Sequence, residues 1–202
     1  MKRKSMPDRD DAWKNILAGA IGGLVASWVM NRYQELQNKA VQSIKKAAQS
    51  EKRSVVTMEQ RAAVGSQERW ERPQPQPEVQ ERQEPTTVKI AEIISINVLR
   101  HRLNERQKRI AEPIVHYSFG TLMGAWYGVL SELTPLATMG RGTLYGAAVW
   151  LGADEIALPA LKLANSPFEY PLSVHASALS AHAVYGITLD TVRRGTLKLL
   201  NQ

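Results

Sequence analysis

The amino-acid sequence predicts an all-α protein: a polytopic membrane helix bundle of three C-terminal spans and a first N-terminal span, with a polar, partly disordered extramembrane segment between them. Three observations predict it. Four stretches of 17–19 residues (15–31, 114–131, 143–161 and 171–189) are predominantly apolar, and three of them carry no formal charge. Glycines recur inside them at four-residue spacing: Gly19 and Gly23, then Gly120, Gly124 and Gly128, then Gly142 and Gly146, while Gly186 follows His182 by four. The charges gather elsewhere. Residues 1–30 carry 5 positive and 3 negative groups, 31–112 carry 16 and 11, and 113–202 carry 5 and 5. The net charge of +7 and the mean hydropathy of −0.30 therefore average an apolar bundle with hydrophilic arms and describe neither. The absence of Cys excludes a disulfide framework, a thiolate zinc site and a Cys nucleophile.

The first element, Asn15 to Asn31, is preceded by five basic residues and followed by Arg32. As a helix it covers about 25 Å, a short but sufficient span. Trp13, Trp28 and Tyr33 stand near its ends, where amphipathic rings prefer the interface. A cleaved signal peptide fits less well, because no A-x-A site follows the apolar run. A buried or surface helix is the other alternative. Residues 32–65 predict a polar helix with Leu36, Ala40, Val41, Ile44 and Ala48 at helical spacing, continuing the first helix.

Residues 66–87 contain a P-Q-P-Q-P run that can neither form a helix nor pack a core, and they predict a flexible linker. Residues 88–112 predict one basic amphipathic helix. Ile90, Ile93, Ile94, Val98 and Leu99 share a broad face, and five Lys and Arg residues cluster over 100–109. It either lies on anionic headgroups or packs on the rest of the protein. Pro113 suits the first turn of the next helix, where its missing N–H costs nothing. Residues 113–195 then predict three antiparallel spans joined by short connections, followed by a tail over 196–202. Small residues favour lipid over water for this bundle. A helical glycine costs about 1 kcal/mol against Ala in water, whereas in lipid small residues let backbones approach and packing drives association. A soluble helical bundle is the alternative.

Four polar residues inside the spans are candidates for function: His116, Asp154, Glu155 and His182. A charge at mid-bilayer costs several kcal/mol, so such groups normally face the bundle or a wet cavity. Pro159 cannot donate to the carbonyl of Glu155, so the backbone is expected to loosen where the two carboxylates lie. Glu132 and Asp190 close their spans and are expected to reach water. The four candidates either converge on a proton path, an ion site or a metal, or serve as hydrogen-bonding pegs between helices. No metal-binding, Walker, nucleophile-elbow or dinucleotide motif is present, so no catalytic residue, metal or cofactor is predicted. Nucleic acid is excluded as a partner, because the basic middle carries 11 acidic groups and few aromatic platforms.

The last 80–90 residues carry a pattern of order and spacing. His116 opens one span, and Glu132 with Pro135 closes it. Gly142, Gly146 and Pro159 lie in the next, and His182 with Arg193-Arg194 in the last. Over roughly 113–195 this pattern resembles the YagU-like family of bacterial inner-membrane proteins. The resemblance implies a multi-pass protein of the inner (cytoplasmic) membrane, and neither a substrate nor a cofactor. The leading expectation is a small integral membrane protein of structural or accessory kind, held in the lipid bilayer and self-associating or joined to a larger membrane assembly. The alternative is transport of protons, an ion or a small solute using the intramembrane His, Asp and Glu. A membrane-embedded metal hydrolase stands third. Flanking basic groups tally 9 on one side and 10 on the other, so no orientation is predicted.

Overall fold

Helices and short connections make up the computed structural model, which describes residues 9–63 and 86–202; no strand occurs among them. The chain divides into two compact units. Within the described residues, 9–34 and 86–202 form the first and 35–63 the second.

Helix α1 (Arg9–Ala63) contains the expected first span and continues through the expected polar helix. In the second unit, every side chain described from 38 to 54 is exposed. The hydroxyls of Ser43, Ser50 and Ser54 donate to carbonyls three or four residues earlier on the same helix.

In the first unit, α2 (Thr86–Ile94) takes in the last two residues of the expected linker, and residues 66–85 lie outside the described residues. The single basic helix expected over 88–112 is two helices. A π-helical turn, Ser95–Leu99, ends at Arg100, whose backbone is left-handed at φ 52°. Helix α3 (Glu105–Leu133) then starts afresh at a capping box. Asn104 Oδ1 accepts from the Gln107 N–H, and Gln107 Oε1 accepts from the Asn104 N–H, both at 2.9 Å. This cap places Pro113 in the interior of α3 and not in its first turn. The helix stops at Thr134, which Pro135 holds in extended backbone (φ −144°, ψ 136°).

A tight turn, Met139–Gly142, leads to α4 (Thr143–Trp150). A π-helical turn, Leu151–Ala157, and the short α5 (Leu158–Ala160) complete this helical stretch. The π register falls where loosening is expected. Pro159 offers no N–H, and the Leu158 N–H reaches back to Ala153 O. Helix α6 (Leu172–Leu200) closes the unit.

Glycines decide how these helices meet. A Cβ on Gly124 would stand 2.3 Å from Gly19 O, and one on Gly23 would stand 2.3 Å from Gly120 O. Gly128 faces Asn15 O in the same way, so α1 and α3 run antiparallel with backbones in contact. A second antiparallel contact joins α4 to α6, with Gly142 against Gly186 and Gly146 against His182 O. Gly142 is also left-handed at φ 85°, a conformation that penalises a side chain.

Tyrosines fill the centre. Tyr127 and Tyr145 are buried with ring centroids 4.8 Å apart. Tyr145 donates to Met123 O and Tyr185 to Gly120 O, both at 2.6 Å, so α3 receives one bond from α4 and one from α6.

Several polar side chains are buried in this bundle while many large apolar ones are exposed. Besides small residues and tyrosines, the buried set includes Asn15, Ser27, His182, Asp190 and Arg193. Trp28, Leu24, Ile114, Leu122, Trp126, Leu151, Ile156 and Ile187 are exposed. No helix of the described residues is long and apolar enough to cross a membrane, so the four expected spans are present as helices without that property.

Candidate functional site

A cavity of about 810 Å³ opens between α1, α2, α3, the π turn and α6. Its walls are mainly apolar, and its polar groups include His116, Asp154 and His182, three of the four candidates, with Glu112 exposed at the rim.

Each polar group reaches the cavity for a local reason. His182 lies on the face of α6 that meets Gly146, and its Nδ1 donates to Ala178 O at 3.0 Å. A carbonyl can only accept, so Nδ1 carries the hydrogen and Nε2 is left to face Asp154 Oδ2 at 3.8 Å. That gap exceeds a hydrogen bond. The imidazole and carboxylate thus face each other without a direct hydrogen bond. His116, on α3, has a buried Nε2 with no hydrogen-bond partner. Ser27 shares the cavity wall; its Oγ donates to Gly23 O at 2.9 Å and fills the space a Cβ on Gly120 would need.

Glu155 is diverted from this cavity. Adjacent to Asp154 on the π turn, it accepts from His175 Nδ1 at 2.7 Å. His175 Nε2 lies 3.0 Å from Pro167 O, so both ring nitrogens face oxygen acceptors. His175 and His182 are two turns apart on α6, and the neighbouring carboxylates Asp154 and Glu155 serve one each.

A second polar cluster ties α1, α3 and α6 at the other end of the glycine contacts. Arg193 Nη2 donates to Asn15 Oδ1 at 2.6 Å, and Asn15 Nδ2 donates to Glu132. Asp190, 1% exposed, accepts from Tyr127 at 2.8 Å and from Arg194 Nε at 2.7 Å. The Arg193 guanidinium lies 5.8 Å from the centre of the Tyr127 ring. Burial pushes this guanidinium down from its ordinary value, and Tyr127 and Asp190 oppose that push. Asp190 thus does not reach water, and Glu132 is engaged by Asn15. Arg193 and Asn15 are absent from the sequence candidates. Their partners lie 178 residues apart, and no local spacing signals them.

The eight glycines expected at helix contacts sit in the two contacts described above, all within this chain. Gly152 and Gly195 face open space. Among the described residues no three His, Cys, Asp or Glu side chains group closely enough to hold a metal ion.

A family model described as "Protein of unknown function (DUF1440)" matches residues 66–191, more than half of the chain. No curated protein and no solved structure matches.

Proposed function

The chain belongs to the DUF1440 family, and we propose for it a membrane-embedded helix bundle that carries protons or a small solute through the His- and Asp-walled cavity. The observation that carries this reading is the convergence of His116, Asp154 and His182 on one cavity. Polar groups of this kind among lipid-facing helices typically mark solute or proton paths. Embedding in lipid is supported by this residue distribution, with Trp126 and Leu122 55% and 63% exposed while Asp190 is 1% exposed. An inner-membrane location is what the resemblance to the YagU-like family would imply.

The structural, accessory or self-associating role is the second reading, and it would have to use surfaces other than the two glycine contacts. The glycine rows on which it leaned are used within the chain, and neither contact leaves a glycine face free for a second copy. Proteoliposomes holding an internal pH dye test the proposal. Wild type is expected to pass protons faster than protein-free vesicles, and a D154N/E155Q variant to lose that flux. Equal flux from both proteins would overturn it.

A further inference from the structure

We infer that the cavity takes an amphiphilic monocation: an apolar body bearing one positive head. The inference rests on reading the cavity as a solute site and names the class of solute. Two carboxylates, Asp154 and Glu112, line it, and no Lys or Arg does so among the described residues. The Lys89 ammonium stands at the wall, donating to the carbonyl of the lining residue Leu163 at 3.3 Å, and its charge is turned to that carbonyl.

The walls exclude the other classes of occupant. An anion would meet two carboxylates and no group of permanent positive charge. A neutral apolar molecule would strip water from Asp154 without replacing it, and uncompensated burial of a carboxylate is costly. A cation with an apolar body satisfies both surfaces. Its charge faces Asp154, and its body covers Ile90, Phe119 and Met123. The volume, about 810 Å³, lies in the range that holds small organic ligands.

Two ions of one shape and opposite charge provide the test. Tetraphenylphosphonium and tetraphenylborate are dialysed to equilibrium against the purified full chain in mild detergent. Saturable binding of the phosphonium is expected, with the borate at least about tenfold weaker. D154N is expected to weaken phosphonium binding about tenfold, and E112Q, at the rim, by less. Equal affinity for the two ions, or phosphonium binding unchanged in both variants, would overturn the inference. If D154N loses its helical circular dichroism, E112Q alone carries the comparison. Proton flux in proteoliposomes separates this inference from its premise. Flux without phosphonium binding overturns only the assignment of solute class, while loss of both removes the cavity reading itself.

Discussion

Arg193 reaches from the last helix to the first and donates to Asn15 at 2.6 Å. Asn15 in turn donates to Glu132, so one chain of hydrogen bonds joins α6, α1 and α3. Beside it, Asp190 holds Tyr127 and Arg194. Asp190 and Arg193 are buried, so removing either charge strands the other away from water, while Arg194 stays exposed.

Asp190→Asn is therefore expected to be severe. It keeps the shape but removes the charge that Arg193 and Arg194 face, a loss of about 3 kcal/mol. Tyr127→Phe deletes one hydrogen bond to the same carboxylate, for about 1 kcal/mol. Reversible unfolding in mixed detergent micelles measures both. A D190N protein as stable as wild type would contradict the account.

Two glycine substitutions give opposite expectations. On Gly124 a methyl group would meet Gly19 backbone, which cannot rotate away. Gly124→Ala is expected to cost about 2 kcal/mol or more as the helices separate. Gly152 has nothing within 4 Å of its would-be Cβ. Gly152→Ala is expected to lie within about 1 kcal/mol of wild type, on the stabilising side. Melting curves of the two variants should move in opposite directions; a shared direction would mean that close approach is not what these glycines supply.

The exposed indole of Trp126 tests the environment of the bundle. A variant retaining only that tryptophan, reconstituted in vesicles with brominated acyl chains, is expected to lose most of its fluorescence. Undiminished emission would place Trp126 away from acyl chains and remove the membrane reading.

Pro159 is expected to trade stability for function. Pro159→Ala restores an N–H and lets the π turn relax to α-helix, a local gain of up to about 3 kcal/mol. The same relaxation turns Asp154 and Glu155 away from His182 and His175, so proton flux should fall. A more stable variant with undiminished flux would detach the π turn from function.

Legibility in the sequence followed the range of the interactions. The glycine rows were visible because their spacing is local, and so was the looseness at Pro159, which needs only the missing N–H. The break in the segment 88–112 was obscured by a run of apolar and basic residues that continues across it. Its cause is a four-residue cap, Asn104 with Gln107, that periodicity does not detect. Pro113 misled for the same reason, since a proline fits a first turn better than the interior where this cap puts it. Asp190 was harder still. Nothing beside it in the chain indicates that Tyr127 waits 63 residues away. That Asp154 and Glu155 diverge follows from their adjacency, since neighbours on a helix point about 100° apart, but the histidine each one faces, 20 or more residues away, is not signalled locally.

The Arg193–Asn15 bond has a consequence for biosynthesis. A ribosome delivers Asn15 early and Glu132 midway, and both must wait for the final turns of α6. Until Arg193 arrives, α1 and α3 can dock through their glycines, but the asparagine lacks its bond to the last helix. The bundle is in effect locked from its last helix. A nascent chain arrested before residue 193 should expose a polar, half-assembled end to quality-control proteases, although most of its packing contacts already exist.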